Sequence, residues 1–285
     1  MREGIASETA YLAGLARALH QGDQPCFFRD PLARHFVRPQ DAAQLQAPPR
    51  ASGFRQRLRS ALAARSRATE DALGEAIARG TRQYVVLGAG FDTYALRSPH
   101  LAQGLQVFEV DHPDTQAAKR RVIGERGLAL PPGLHWAPAD FSRQGLHEVL
   151  QAAGFDFGRP AFFAMLGVSM YIPREALLQT LGAIAQGCAK GSEVVFDYVV
   201  PARLLSLPER LGLKLLAWRV AKLGEPLVNF IDPDELPAVL RSAGFSECGE
   251  MSMEPLIARV RAEHRLPPSA RPPRFAMGRM ARAVV

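Results

Sequence analysis

Three short stretches carry residue types and spacings suited to holding a nucleoside. The first is Tyr84-Val85-Val86-Leu87-Gly88-Ala89-Gly90-Phe91-Asp92-Thr93, an apolar run that ends in Gly-x-Gly. Glycine lets a backbone turn sharply and come close to a ligand that a Cβ would exclude. Gly88 and Gly90 are therefore candidates for the floor of a binding site. The second stretch, Val107-Phe108-Glu109-Val110-Asp111, places carboxylates 19 and 21 residues after Gly90. An acid at that distance, at the tip of a second strand, accepts hydrogen bonds from ribose hydroxyls. A dinucleotide fingerprint also needs a third glycine, and Thr93 stands there, so no pyrophosphate cradle is expected. Adenosine without phosphate satisfies both observations, and the expected cofactor is S-adenosylmethionine. The third stretch is Trp136-Ala137-Pro138-Ala139-Asp140-Phe141, where Asp140 can accept from an adenine amino group while Phe141 packs near the ring. Plainer uses compete: Glu109 or Asp111 capping a helix opened by Pro113, and Asp140 capping one opened at Ser142.

These stretches need elements to bring them together. Strand-like runs at 83–87, 105–110, 134–137, 161–166 and 193–199 are separated by helix-length segments. Such alternation implies βαβ units and a mostly parallel sheet covered by helices on both faces. An open sheet of this kind binds ligands at the carboxyl ends of its strands. Gly88, Asp111 and Asp140 all fall at such ends. The first 80 residues read as a helical cap, with helices at 8–20 and 60–79, the latter ended by Gly80. A helix at 204–223 and another at 233–243, stopped by Gly244, follow the last strand-like run. The reading is one domain over 1–285: cap 1–80, cofactor core 81–200, helical lid 201–232, and a substrate-side part with a basic tail, 233–285.

Composition narrows the class. With 285 residues, 47% hydrophobic and 22% charged, the chain can bury a real core without disulfides or a structural metal. Cys26, Cys188 and Cys248 are far apart and odd in number, which excludes a disulfide framework or zinc cluster and fits a reduced, cytoplasmic setting. The longest mostly apolar run, 161–172, is too short to cross a bilayer, so no membrane partner is expected. The net charge of +7 is concentrated: residues 259–285 hold seven arginines against Glu263, which leaves +1 on the rest. A nucleic-acid protein would spread its basic residues over a face of the fold. The tail is therefore read as solvated and nucleic acid is not expected as a partner.

In order and spacing, Ala64-Arg65-Ser66-Arg67, Leu87-Gly88-Ala89-Gly90-Phe91-Asp92-Thr93, Phe108-Glu109-Val110-Asp111-His112-Pro113 and Asp140-Phe141 resemble the leucine carboxyl methyltransferase-like group of class I S-adenosylmethionine-dependent methyltransferases. The resemblance extends from about Thr9 to Val285, through Glu225-Pro226. It implies a Rossmann-like, doubly wound sheet of seven strands, with the cofactor held by Arg65, Gly88, Gly90, Asp111, Asp140 and Phe141. Independently of the family, a guanidinium such as Arg65 can grip a methionine carboxylate through two parallel charge-assisted bonds. Arg67 competes for that role. One departure stands out. The family often has a glutamate before its Met-Tyr pair, whereas Ala164-Met165-Leu166-Gly167-Val168-Ser169-Met170-Tyr171 has none. Backbone carbonyls would then have to meet the cofactor's amino end.

Methyl transfer from a sulfonium demands mainly alignment of the acceptor atom. A carboxylate acceptor needs no base; a phenol or alcohol needs one, and His112, Asp197, Tyr171 and Tyr198 lie near strand ends. Tyr171 is ranked first, as an orienting group, against a plain core role. The helix at 204–223 is apolar beyond the needs of a crossover, which suggests a wall favouring a hydrophobic small-molecule acceptor. Core packing or a homo-oligomer contact is the alternative use of that helix. The expected function is O-methylation of a carboxylate or phenolic group. Its rivals are an NAD(P)-dependent oxidoreductase and a non-catalytic methyltransferase-like binding protein.

Overall fold

The computed structural model describes residues 6–46, 54–140, 144–264 and 277–285. Its helices are α1 (Glu8–His20), α2 (Ala43–Gln46), α3 (Phe54–Ala78), α4 (Tyr94–Arg97), α5 (Pro113–Glu125), α6 (Leu146–Ala152), α7 (Arg174–Gly187), α8 (Leu207–Lys222), α9 (Leu236–Ala243) and α10 (Glu254–Glu263). Its strands are β1 (Gln83–Leu87), β2 (Gln106–Asp111), β3 (Leu134–Pro138), β4 (Ala161–Met165), β5 (Glu193–Val199), β6 (Glu247–Glu250) and β7 (Gly278–Val284). They form one seven-stranded sheet in the order β3-β2-β1-β4-β5-β7-β6. The first five are parallel, and β7 runs antiparallel to both β5 and β6.

The strand sequences explain the layers. Successive side chains of a strand point to opposite faces, and here both faces are covered, so β1 and β4 are buried along their whole length. Val85, Leu87, Phe108 and Phe163 join α6, α7 and α9 on one side. Tyr84, Val86, Val107 and Phe162 join α3 and α10 on the other. On α3 that packing falls to small residues, Ala64, Ala68, Ala72 and Ala76, which let the long helix lie close to the sheet.

The chain leaves β1 toward β2 and β3 on one side and reaches β4 and β5 on the other. The order therefore reverses between β1 and β4, which opens a crevice at their carboxyl ends.

The C-terminal end departs from the sequence reading. Residues 277–285, taken as part of a solvated basic tail, include β7, inserted between β5 and β6 with Met280, Ala281 and Ala283 buried. Its arginines are matched by acids on neighbouring elements: Arg282 meets Glu193 and Glu75, and Arg279 meets Glu250. Short, small residues interrupted by arginine hide a strand from any hydrophobic pattern. The helix expected at 204–223 is split into a 3-10 turn at Ala202–Leu204 and α8, which opens with a capping box between Ser206 and Glu209. Among the described residues no helix is long and apolar enough to cross a membrane.

Candidate active site at the carboxyl ends of the strands

Just past β1 the backbone turns through Gly88 at φ +68° and Gly90 at φ +51°, both left-handed. The amides of Gly88 and Ala89 donate to the Val110 carbonyl, and Gly90 N–H donates to the Asp111 carboxylate, so the turn is laced to the end of β2. A Cβ on Gly88 would stand 2.3 Å from a Val168 methyl carbon, and one on Gly90 would stand 3.0 Å from Ala10 Cβ. The glycines are thus demanded from within the protein, by the loop after β4 and by α1, as well as by any ligand.

Asp111 is half-buried beside this turn. One carboxylate oxygen accepts from Gly90 N–H and the other from His112 N–H at 2.6 Å. A carboxylate has about four acceptor sites, so two lone pairs remain for the cleft. Burial pushes its pKa above the ordinary aspartate value, against the two backbone bonds that lower it. Glu109 is a different case. It is buried against Lys119 at 2.5 Å, away from the cleft, and burial raises its pKa despite the lysine. It is a structural pair and leaves Asp111 as the acid of the β2 tip.

Asp140 follows β3 and lines the same cleft. Its backbone exchanges hydrogen bonds with Gln144, and the N-cap of α6 is Gly145, so Asp140 does not cap that helix. Phe141 lies outside the described residues. His112 proves to be the N-cap of α5, its Nδ1 accepting from Asp114 N–H at 3.3 Å.

Arg65 projects from α3 into the opposite side of the cleft, where it forms an ion pair with Asp197 of β5. The other Asp197 oxygen accepts from Gly167 N–H at 2.6 Å. Arg65 Nε is buried with no partner among the described residues, so the guanidinium keeps unspent donor capacity. Its competitor Arg67 turns away to Asp71 at 2.7 Å, one helical turn on. Tyr171, after β4, hydrogen-bonds Thr9, and burial pushes its pKa up to about 12. Thr9 in turn donates to Glu225, backbone amide included at 3.1 Å, so α1 and the segment after α8 meet over Tyr171. Tyr198 sits in the core beneath the sheet and does not reach the cleft.

Arg65, Gly88, Gly90, Asp111, Asp140, Tyr171 and Asp197 therefore border one cavity of about 2360 Å³. The segment after β4 carries no acid, and Asp197 from the next strand and Glu225 are acids that border the cavity on that side. Sequence reasoning also missed α1 as a wall. Its signal was there: Ala10 and Gly14, spaced four apart, are the small residues on which the Gly-x-Gly turn rests, and a Cβ on Gly14 would lie 3.3 Å from Phe91 Cβ. Arg17, one turn further, donates to the Phe91 carbonyl at 2.6 Å.

Comparison with known proteins bears on this geometry. The model of a family described as leucine carboxyl methyltransferase matches residues 10–185. A Bacillus subtilis (strain 168) protein, whose name assigns it to the S-adenosyl-L-methionine-dependent methyltransferases, is 30% identical over 267 residues, covering 86% of this chain and 88% of that one. A Mycolicibacterium paratuberculosis (strain ATCC BAA-968 / K-10) protein assigned to the same class is 37% identical over 203 residues, 67% of this chain and 65% of that one. The apo crystal structure of the S-adenosylmethionine-dependent methyltransferase SibL has a TM-score of 0.50 at 15% identity, covering 97% of this chain and 70% of that one, a likeness of fold.

Proposed function

The chain belongs to the leucine carboxyl methyltransferase family of S-adenosylmethionine-dependent methyltransferases, and from that premise we propose that it methylates an anionic oxygen of an apolar small molecule, a carboxylate or an ionised phenol. The residues of the cleft fit the cofactor. The left-handed glycine turn leaves a floor without side chains, Asp111 has two free lone pairs for ribose hydroxyls, and Asp140 faces the same space. Arg65, steadied by Asp197, offers a planar donor pair to the methionine carboxylate. When bound, the cofactor supplies an electrophilic methyl group on a sulfonium.

The residues then have two tasks: to seat the acceptor and to exclude water. The cavity far exceeds the roughly 300–1,000 Å³ of an ordinary small-molecule site, which leaves room for an acceptor beside the cofactor. Leu58 and Leu62 of α3 and Leu213 and Leu216 of α8 form apolar walls on that side. An apolar skeleton is what such walls would favour.

The observation that carries the oxygen assignment is that, among the described residues, the acids and the phenol expected beside the acceptor are already engaged or keep their proton, while His112 caps α5 next to Asp111, at the expected ribose end. Asp197 is held by Arg65 and Gly167, Glu225 by Thr9, and Glu209 by the Ser206 amide at 2.8 Å. Tyr171, its pKa pushed up to about 12 by burial, keeps its proton through the working range and is no base. A site so equipped suits an oxygen that arrives already ionised. The test is transfer of labelled methyl from S-adenosylmethionine to apolar carboxylic acids, and to phenols and amines of matching skeleton. Label that mild alkali releases as methanol marks an ester and supports the reading, as does an aryl ether. Exclusive labelling of nitrogen, or of no acceptor in cell extracts, would overturn it.

A further inference from the structure

The exposed large apolar side chains of this molecule are concentrated around one element. Leu207, Leu211, Leu215 and Trp218 are 78%, 70%, 43% and 55% exposed, and Val228 and Phe230, a few residues after the helix in sequence, are exposed as well. At spacings of four, four and three, the first four make a continuous stripe along α8. The opposite side of the helix is a different surface: Leu213, Leu216 and Val220 turn inward and wall the cleft. A helix apolar on two faces is meant to be covered on both, and contiguous exposed apolar surface marks a site of interaction.

Charge identifies the occupant. α8 carries Arg210, Lys214, Arg219 and Lys222 against one acid, Glu209, which is spent on the Ser206 cap and faces the cleft. None of the four cations has a carboxylate partner among the described residues, and Lys222 Nζ lies 3.8 Å from the centre of the Trp218 ring. A second copy meeting this one through α8 would bring two unpaired sets of cations together. Anionic headgroups would neutralise them. Leucine and tryptophan set among basic residues is the make-up of a helix that lies in a membrane interface.

We propose that α8 docks on the surface of an anionic lipid bilayer, its outer stripe entering the headgroup region while its inner face walls the active-site cleft. The expectation of no membrane partner rested on the lack of a spanning segment, and a helix lying on a surface needs none. An apolar acceptor dissolved in the bilayer would then be one helix away from the cleft. That consequence depends on the proposed acceptor class; the docking itself does not.

The test is co-sedimentation of the full chain with vesicles of phosphatidylcholine alone and of phosphatidylcholine mixed with phosphatidylglycerol, with neither cofactor nor acceptor present. Binding is expected to the anionic vesicles only, to weaken as salt is raised, and to shift tryptophan emission to the blue in the wild type and not in Trp218→Phe. The double variant Leu207→Glu, Leu211→Glu should lower the partition by about a hundredfold or more, the equivalent of two leucines left in water. Neither residue borders the cleft, so its affinity for S-adenosylhomocysteine should match the wild type, which shows that it is folded. A wild type that stays in the supernatant overturns the proposal, as does a double variant that binds equally well. A dimer that dissociates in the double variant, with no vesicle binding, would assign the stripe to a second copy instead. No outcome depends on which atom is methylated.

Discussion

In the proposed complex, the Asp111 carboxylate holds the nucleoside at the tip of β2. It fastens the glycine turn with one oxygen, caps the next amide with the other, and keeps two lone pairs for the ligand. Replacing it by alanine should weaken S-adenosylhomocysteine binding tenfold to several hundredfold, since each charge-assisted hydrogen bond is worth about 1.5–3 kcal/mol. Its titration gives a second test. In the proposed complex the ionised form would accept the ribose bonds; burial raises the pKa, so on acidification Asp111 takes up a proton at a higher pH than an ordinary aspartate. Cofactor affinity should fall there, and because the bound ligand favours the ionised form, binding should release protons in that range. Calorimetry in two buffers of different ionisation enthalpy reads the release; Asp111→Asn should abolish it. For Tyr171→Phe, we expect turnover to drop by no more than about a hundredfold, a lost orienting bond, with S-adenosylhomocysteine affinity nearly unchanged. A loss beyond a thousandfold in single-turnover assays would mean that the hydroxyl does more than orient. Gly88, Gly90, Asp111 and Asp140 were legible in the sequence because each sits at the end of a strand whose pattern is plain. Arg65 became legible through a family resemblance. Its partner Asp197 did not, because that pairing joins residues 132 apart and no local pattern encodes it.

At the scale of elements, apolar pattern and punctuation revealed the five parallel strands, each to within one residue at its ends. Helix α1 was legible as well, over Glu8–His20, opened by a Ser7 cap. β7 was hidden because Arg279 and Arg282 break its pattern, and only the acids waiting on neighbouring elements make those arginines acceptable there. The same fact makes a prediction. Removal of residues 277–285 would leave β5 and β6 without their shared partner and expose the contacts of Met280, Ala281 and Ala283. The truncated chain should fail to fold or melt without cooperativity. Met280→Ala, a milder change, should cost about 2–5 kcal/mol in urea unfolding, the usual range for emptying a buried methionine site. A truncated chain that melts like the full one would show that β7 is dispensable.

At the scale of the molecule, the site follows from a reversal of strand order. The reversal opens a crevice between β1 and β4, and α1, α3 and α8 close round it to give a cavity large enough for cofactor and acceptor together. The order of the parallel strands follows from alternating strands and helices, but the cavity's apolar half belongs to helices whose sequences do not say which neighbour they will cover. The central claim is that one cleft holds the nucleoside at Asp111 and the methionine carboxylate at Arg65. The measurement that tests it most directly is calorimetric titration of S-adenosylhomocysteine and of adenosine into the wild type, Asp111→Ala and Arg65→Lys, the last chosen to keep a cation beside Asp197. Asp111→Ala should weaken both ligands, and Arg65→Lys should weaken S-adenosylhomocysteine by about tenfold to a hundredfold while leaving adenosine unchanged. Equal affinities across the three proteins, or an Arg65→Lys loss as large for adenosine as for S-adenosylhomocysteine, would contradict that arrangement.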